Sequence, residues 1–255
     1  MSRYFIELSY KGSAYAGFQV QENALTVQEE MEKALEIFFR EKIALTGSSR
    51  TDAGVHALQN FFHFDFGGEI EERKVYNINA LLPGDIAIRN IRKMGDDAHC
   101  RFDAVARQYA YSLYMRKDPF IADRAYYFPY SVNMELMKEA AEVLKGYSEF
   151  EAFSKRNTQV RTFTCRILES EWIEEGERKI YRVKANRFLR GMVRGLVGTM
   201  LQVGRRKISV ARFREVIENK MQGEVDFSVP GYGLCLEKVE YGEGYFGLLK
   251  NKYES

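Results

Sequence analysis

The chain has 255 residues, enough to bury a substantial core as one large domain or two smaller ones. It is 45% hydrophobic and 29% charged with a formal net charge of +2, which excludes disordered, fibrous and membrane-embedded classes. Cys100, Cys165 and Cys235 form no CxxC pair, and His56, His63 and His99 show no metal-ligand spacing. A reduced protein without structural metal is therefore expected. The apolar runs fall far short of a membrane span, and the first residues enter a strand pattern directly. That leaves no room for a signal peptide and points to a soluble cytoplasmic protein.

Residues 3–10 read as a strand, with Tyr4, Ile6 and Leu8 on one face and Phe5 on the other. Residues 12–17 form a loop of small residues around Tyr15. Thr26-Val27-Gln28-Glu29 is a capping box, and Val27, Met31, Ala34, Leu35 and Phe38 repeat behind it at helical spacing, predicting a helix to about Arg40. Residues 42–46 read as a strand and 59–66 as another, the latter with Phe62, Phe64 and Phe66 on one face. A helix over 70–80 stops before Leu82-Pro83-Gly84-Asp85, and a further strand begins at Ile86. In the second half, 106–115 is a strand with Arg107, Tyr109 and Tyr111 on one side. Residues 134–145 form a helix capped by Asn133 and ended by Gly146. A hairpin spans 163–173 and 179–185, a long helix 188–203, a shorter one 210–219 with Ser209 as its cap, and a last strand 233–241. This alternation predicts an α+β fold of two similar halves, 1–104 and 105–255, with mostly antiparallel sheets flanked by helices and a central cleft as the default site.

The stretch Gly47-Ser48-Ser49-Arg50-Thr51-Asp52-Ala53-Gly54-Val55-His56-Ala57 stands out. Asp52 is followed by a small residue and then Gly54, so a bulky group can approach it closely. In an extended segment Arg50 and Asp52 point the same way, and an arginine there can orient a carboxylate and keep it ionised. Such a carboxylate suits a nucleophile or base, although a polar turn completed by Asp52 has the same pattern. His56 reads as structural and His63 as core or edge.

Charge is uneven along the chain. Residues 155–166 carry four basic side chains and no acid, and 187–207 carry six and no acid, whereas 223–243 lean acidic. On a helix after Asn186, Arg187, Arg190 and Arg194 share one face, flanked by Gly191, Gly195 and Gly198. Each glycine costs a helix about 1 kcal/mol relative to alanine, so close packing by another backbone, a strand or a ligand is expected there. Tyr109, on a strand two residues after an arginine, is either half-buried core or a ring for a nucleobase with a hydroxyl that relays a proton. An aromatic content of 14% with interleaved arginines leans toward RNA.

Arg50-Thr51-Asp52-Ala53-Gly54-Val55-His56 closely resembles the catalytic loop of the tRNA pseudouridine synthase A family. Thr26-Val27-Gln28, Leu82-Pro83-Gly84-Asp85-Ile86, Ala106-Arg107-Gln108-Tyr109-Ala110-Tyr111, Met192-Val193-Arg194 and Gly233-Leu234-Cys235-Leu236 resemble further family segments in the same order. The resemblance implies a pseudouridine synthase fold with Asp52 as the essential carboxylate. Arg50 would position it and help extrude the base, Arg194 would pair with it, and Tyr109 would be the active-site tyrosine. Leu234 and Gly54 would line the place of the base, and Lys155, Arg156, Arg187 and Arg190 would contact RNA. It also implies that uridines at positions 38–40 of the anticodon stem-loop of tRNA become pseudouridine, without cofactor or metal, on a cytoplasmic homodimer whose two subunits share one tRNA. Tyr10-Lys11-Gly12, Gly17-Phe18-Gln19 and Ser48-Ser49 depart from the usual Tyr-Asp-Gly, Gly-Trp-Gln and Ala-Gly. A non-catalytic RNA-binding module remains the alternative. A glycoside or nucleoside hydrolase is the weaker one, since no second acid pairs convincingly with Asp52.

Overall fold

A computed structural model describes residues 1–71, 73–156 and 161–247. The chain divides into two compact units, Met1–Val105 with Leu236–Ser255, and Ala106–Cys235. The last strand thus clusters with the first unit rather than with the second half that precedes it.

The first unit is built on β1 (Ser2–Tyr10), β2 (Thr46–Gly47), β3 (His56–Phe66), β4 (Ile86–Met94) and most of β9 (Leu234–Tyr241), in the order β4-β1-β3-β9 with β2 on β3. The pairs β1–β3 and β1–β4 are antiparallel, with Ile6 opposite Phe62 and Ile91. Helix α1 (Val27–Phe39) starts where Thr26 Oγ1 accepts the Glu29 N–H at 3.3 Å, as the capping box predicts. It buries Val27, Met31, Ala34 and Leu35. On the same side Phe39 packs on Phe66 at 4.4 Å, and Phe18 stacks on Phe62 at 4.5 Å between ring centroids. The opposite face of the sheet carries Phe5 and Phe61, covered by Tyr241, Tyr245 and Phe246, and His63, whose ring lies between Phe5 and His99. Tyr241 OH donates to the Cys100 carbonyl at 2.6 Å, and the Val239 N–H donates to Gln59 Oε1 at 3.1 Å.

Two expected elements are shorter. The strand over 42–46 contracts to Thr46–Gly47, because only these two residues find ladder partners, His63 and Phe62. Ile43 and Leu45 produce the apolar alternation by turning inward without a strand beside them. The helix over 70–80 becomes α2 (Lys74–Asn79), with Glu72 outside the described residues. Its end is fixed by Asn79, whose side chain bonds both the N–H and the carbonyl of Ile88, at 2.8 and 2.9 Å.

The second unit carries most of β5 (Ala104–Tyr114), with β6 (Tyr126–Tyr127), β7 (Ile167–Glu175) and β8 (Arg178–Ala185), β8 lying between β5 and β7 and β6 parallel to β5. The β7–β8 hairpin closes on Gly176-Glu177, tighter than the expected link over 174–178, since the pairs Glu174–Lys179 (2.7 Å) and Glu175–Arg178 (3.2 Å) extend the ladder. Helices α3 (Met134–Val143), α4 (Met192–Gly204) and α5 (Val210–Glu218) accompany these strands. Asn133 and Ser209 cap α3 and α5 as expected, accepting the N–H groups of Leu136 and Arg212 at 3.0 Å each. Ser170 on β7 donates to the Ala141 carbonyl of α3 at 2.8 Å, and Trp172 on β7 meets Met200 of α4 through Nε1–Sδ at 3.4 Å. The architecture is the expected α+β, with mostly antiparallel strands. Among the described residues no helix is long and apolar enough to cross a membrane.

The expected helix over 188–203 begins only at Met192. Gly191 sits at φ +73°, a left-handed conformation that no helix can run through, and its Cα faces the Lys155 side chain. Arg187 and Arg190 therefore precede the helix, and the three-arginine face does not form. Inside α4 the glycines admit a neighbouring backbone. A Cβ on Gly198 would overlap the Asp226 carbonyl, and one on Gly195 would press on Phe227 and Val225.

Gly198→Ala should therefore destabilise the chain by about 1–3 kcal/mol despite its gain in helix propensity, read as a lower urea midpoint. Unchanged stability would show that the 225–229 segment is free to move. His63 supplies a pH test. Burial, aided by the charges of His99 and Arg3, holds its imidazole down to about 4, below the ordinary 6.5. The unfolded chain takes up that proton first, so the stability His63 contributes is complete above pH 6.5 and is lost as pH falls toward 4. The fall in unfolding free energy between pH 7 and pH 5 should be smaller in His63→Gln than in the wild type, whatever the absolute stability of the variant.

Candidate active-site residues

The Asp52 loop is pinned on both sides of the aspartate. Going in, the Ser48 N–H donates to the Phe61 carbonyl at 2.8 Å, and the Ser49 carbonyl accepts from Asn60 Nδ2 at 2.9 Å. Asn60 is fully buried in β3, where its Nδ2 also reaches Tyr10 OH at 3.3 Å and its Oδ1 accepts the Phe61 N–H at 2.9 Å. Thr51 is drawn inward twice: its hydroxyl meets Tyr10 OH at 2.8 Å, and its carbonyl accepts the Phe18 N–H at 3.1 Å. Coming out, the Asp52 carbonyl accepts the Val55 N–H at 3.2 Å and closes a turn. Gly54 stands at φ +77° in that turn and donates to the Tyr15 carbonyl at 3.2 Å. Val55 is buried, and His56 Nδ1 accepts the Gly12 N–H at 3.1 Å, the structural role expected of it. Asp52 itself is half-buried, on a backbone with little freedom to move. The Ser48 and Ser49 hydroxyls are buried without partners among the described residues, at the place where the family resemblance expects Ala-Gly.

Arg50 does not do what its spacing suggests. Its side chain is exposed, and no hydrogen bond or ion pair joins it to Asp52. The segment is a pinned loop rather than a strand, and Thr51 turns into the core between the two. The rule that alternate residues share a side therefore lapses. Arg50 instead lines a cavity of about 260 Å³ with Phe18, Gln28, His99, Arg101 and Phe102.

The second unit holds Tyr109, Leu234 and Arg194. Tyr109 lies on β5 opposite Val183 of β8, 9% exposed, its ring edge-on to Phe188 at 5.1 Å. Two residues on, Tyr111 is fully buried and donates its hydroxyl to the Pro230 carbonyl at 2.8 Å; burial raises the pKa of that phenol well above its usual range, so it stays protonated. Gly233 rests directly on the Tyr111 ring and leads into the buried Leu234. Arg194, half-buried in the first turn of α4, donates from Nε to the Val229 carbonyl at 2.8 Å and from a terminal nitrogen to the Phe227 carbonyl at 3.2 Å. The segment admitted by Gly195 and Gly198 is thus the one that the guanidinium braces.

The four proposed RNA contacts gather near the turn before α4. The Lys155 N–H donates to the Arg190 carbonyl at 3.0 Å, and the Lys155 side chain lies over Gly191. Arg156 Nε donates to Gln222 Oε1 at 2.8 Å. Arg187 is close enough to Cys165 to offset part of the rise to about 11 that burial imposes on the thiol. Residues 157–160 of this basic run lie outside the described residues. Sequence reasoning missed Asn60, Tyr10 and the 99–102 segment. The one available signal for Asn60 was an amide inside an otherwise aromatic strand, which a buried position tolerates only when its hydrogen bonds are satisfied.

Residues 8–103 and 140–242 match the sequence model of the tRNA pseudouridine synthase family. The chain is 43% identical over 248 residues to the tRNA pseudouridine synthase A of Parabacteroides distasonis, covering 96% of this chain and 98% of that one. It is 44% identical over 250 residues to that of Bacteroides thetaiotaomicron, covering 96% and 93%. To that of Staphylococcus aureus strain MRSA252 it is 34% identical over 244 residues, covering 94% and 92%. With both stretches of the family model matched and such relatives aligned almost end to end, the chain belongs to the tRNA pseudouridine synthase family.

Proposed function

We propose that this chain isomerises uridine to pseudouridine in tRNA, with Asp52 as the catalytic carboxylate and the uridines at positions 38–40 of the anticodon stem-loop as targets. The reaction breaks the N1–C1′ bond, turns the uracil and rejoins it to C1′ through C5. The C5 hydrogen is released and N1 gains one, so nothing is oxidised or reduced. The observation that carries this reading is the doubly pinned loop. Bonds from Asn60, Tyr10 and Phe18 before Asp52, and the turn to Val55 after it, fix the backbone that presents the carboxylate. The glycine at position 54 leaves room for a ribose or base beside it.

Tyr109 serves as the ring against the flipped base and a candidate proton acceptor, Leu234 as an apolar wall, and Arg194 as the cationic partner of the carboxylate. Arg50 has no pairing role with Asp52 on this reading; its exposed guanidinium is left for RNA. Extruding the uridine costs a few kcal/mol, which phosphate contacts from Lys155, Arg156, Arg187 and Arg190 help offset. The active form is a homodimer in the cytoplasm, each tRNA touching both subunits.

Tritium release from tRNA labelled at C5 of uridine tests the chemistry. Wild-type chain should release tritium and Asp52→Asn should lose at least about a thousandfold in rate while still binding tRNA. Binding without release by the wild type would identify a non-catalytic RNA-binding module, and free uracil a hydrolase. Arg194→Ala should lower kcat by at least about a hundredfold. It should also lower stability by about 1–3 kcal/mol, because the Val229 and Phe227 carbonyls lose a charged donor. Wild-type turnover in the folded variant would leave Arg194 a brace and remove it from the chemistry.

A further inference from the structure

The cavity beside Arg50 has no part in the chemistry described above, yet its walls are built for a ligand. Two arginines and His99 line it, and no aspartate or glutamate does. Arg50 makes no hydrogen bond or ion pair with the described residues. Phe102 is 74% exposed, a large apolar surface left in water. Its ring is nonetheless held, with His99 at 4.2 Å between centroids and the Arg101 guanidinium 5.7 Å from the ring centre.

The segment that presents these groups is rigid. His99 Nδ1 accepts the N–H groups of Arg101 at 3.2 Å and Phe102 at 3.4 Å, and the His99 N–H donates to the Asp103 carboxylate at 2.7 Å. The buried Cys100 ties this wall to the opposite one, its thiol donating to the Thr46 carbonyl at 3.2 Å and its N–H to His63 Nδ1 at 3.3 Å. At about 260 Å³ the cavity falls just below the usual range for ligand pockets, suited to a single nucleotide rather than a longer stretch.

We propose that this cavity seats one nucleotide of the RNA substrate, neighbouring the uridine that Asp52 acts on, with its phosphate held by Arg50 and Arg101 and its base stacked on Phe102. Guanidinium groups suit a phosphate, and an exposed ring accepts any base face, so the subsite fixes the RNA without reading its sequence. Arg50 is two residues from Asp52, which places this nucleotide within reach of the catalytic loop. The assignment rests on the tRNA reading above but not on turnover.

Binding of an unmodified tRNA transcript to the full chain, measured over a range of salt, tests it. Arg101→Ala should weaken binding about tenfold and make the slope of log Kd against log salt shallower by about one. Phe102→Ala should weaken binding about fivefold or more with the slope unchanged, and Phe102→Tyr should restore it. Wild-type Kd and slope in both alanine variants, with wild-type melting temperatures, would overturn the proposal. Displacement of tRNA by micromolar uridine or adenosine 5′-monophosphate would also overturn it, as a site for free nucleotides. Loss of tritium release in the wild type with these binding changes intact would sink the catalytic reading and leave the subsite standing.

Discussion

Asn60 holds the Asp52 loop in place from inside a strand. A primary amide with no exposure at all would cost several kcal/mol in an apolar sheet if its bonds were unmade. Here they are made, to the Ser49 carbonyl, to Tyr10 and to its own neighbour Phe61. Tyr10 passes the restraint on to Thr51, the residue before the aspartate. A loop tethered only at its ends would sample many conformations. This one is tethered at positions 48, 49, 51, 54 and 55, so little ordering is left to be done when RNA arrives. Preorganisation of that kind is what a carboxylate needs if it is to meet one atom of a flipped nucleotide.

The second unit solves a comparable problem with glycine and arginine. Gly195 and Gly198 let the 225–229 segment lie against α4 closer than any side chain allows. Its carbonyls then face inward, and the Arg194 fork satisfies two of them. Thr199 adds a third tie, donating to the Gly195 carbonyl at 2.7 Å and accepting the Asp226 N–H at 3.2 Å. Tyr111 fastens the far end of the same segment through Pro230, so the approach to Leu234 is held from both directions. An arginine expected only on chemical grounds thus has a structural part to play.

The family and its activity class were legible in the sequence because the identifying motifs are short and contiguous. The capping box at Thr26, the Asn133 and Ser209 caps, the aromatic alternation of β3 and the strand carrying Tyr109 were legible for the same reason, each being set by residues within a few positions of one another. Where the signal depended on a partner far along the chain it failed. Residues 42–45 alternate like a strand but have none beside them. Arg187 and Arg190 keep helical spacing, but a left-handed Gly191 interrupts the helix, and a glycine does not announce its φ in advance.

What the sequence determined by itself, then, is the α+β class and the family, since these are carried by local pattern. What only the tertiary structure decided is how each group is held. Arg50 lines a cavity shared with residues fifty positions later, and Asn60 reaches back to Ser49. Arg194 binds carbonyls more than thirty residues on. Hydrogen bonds and cavities join residues by distance in space, and a linear pattern of residue types records only distance along the chain.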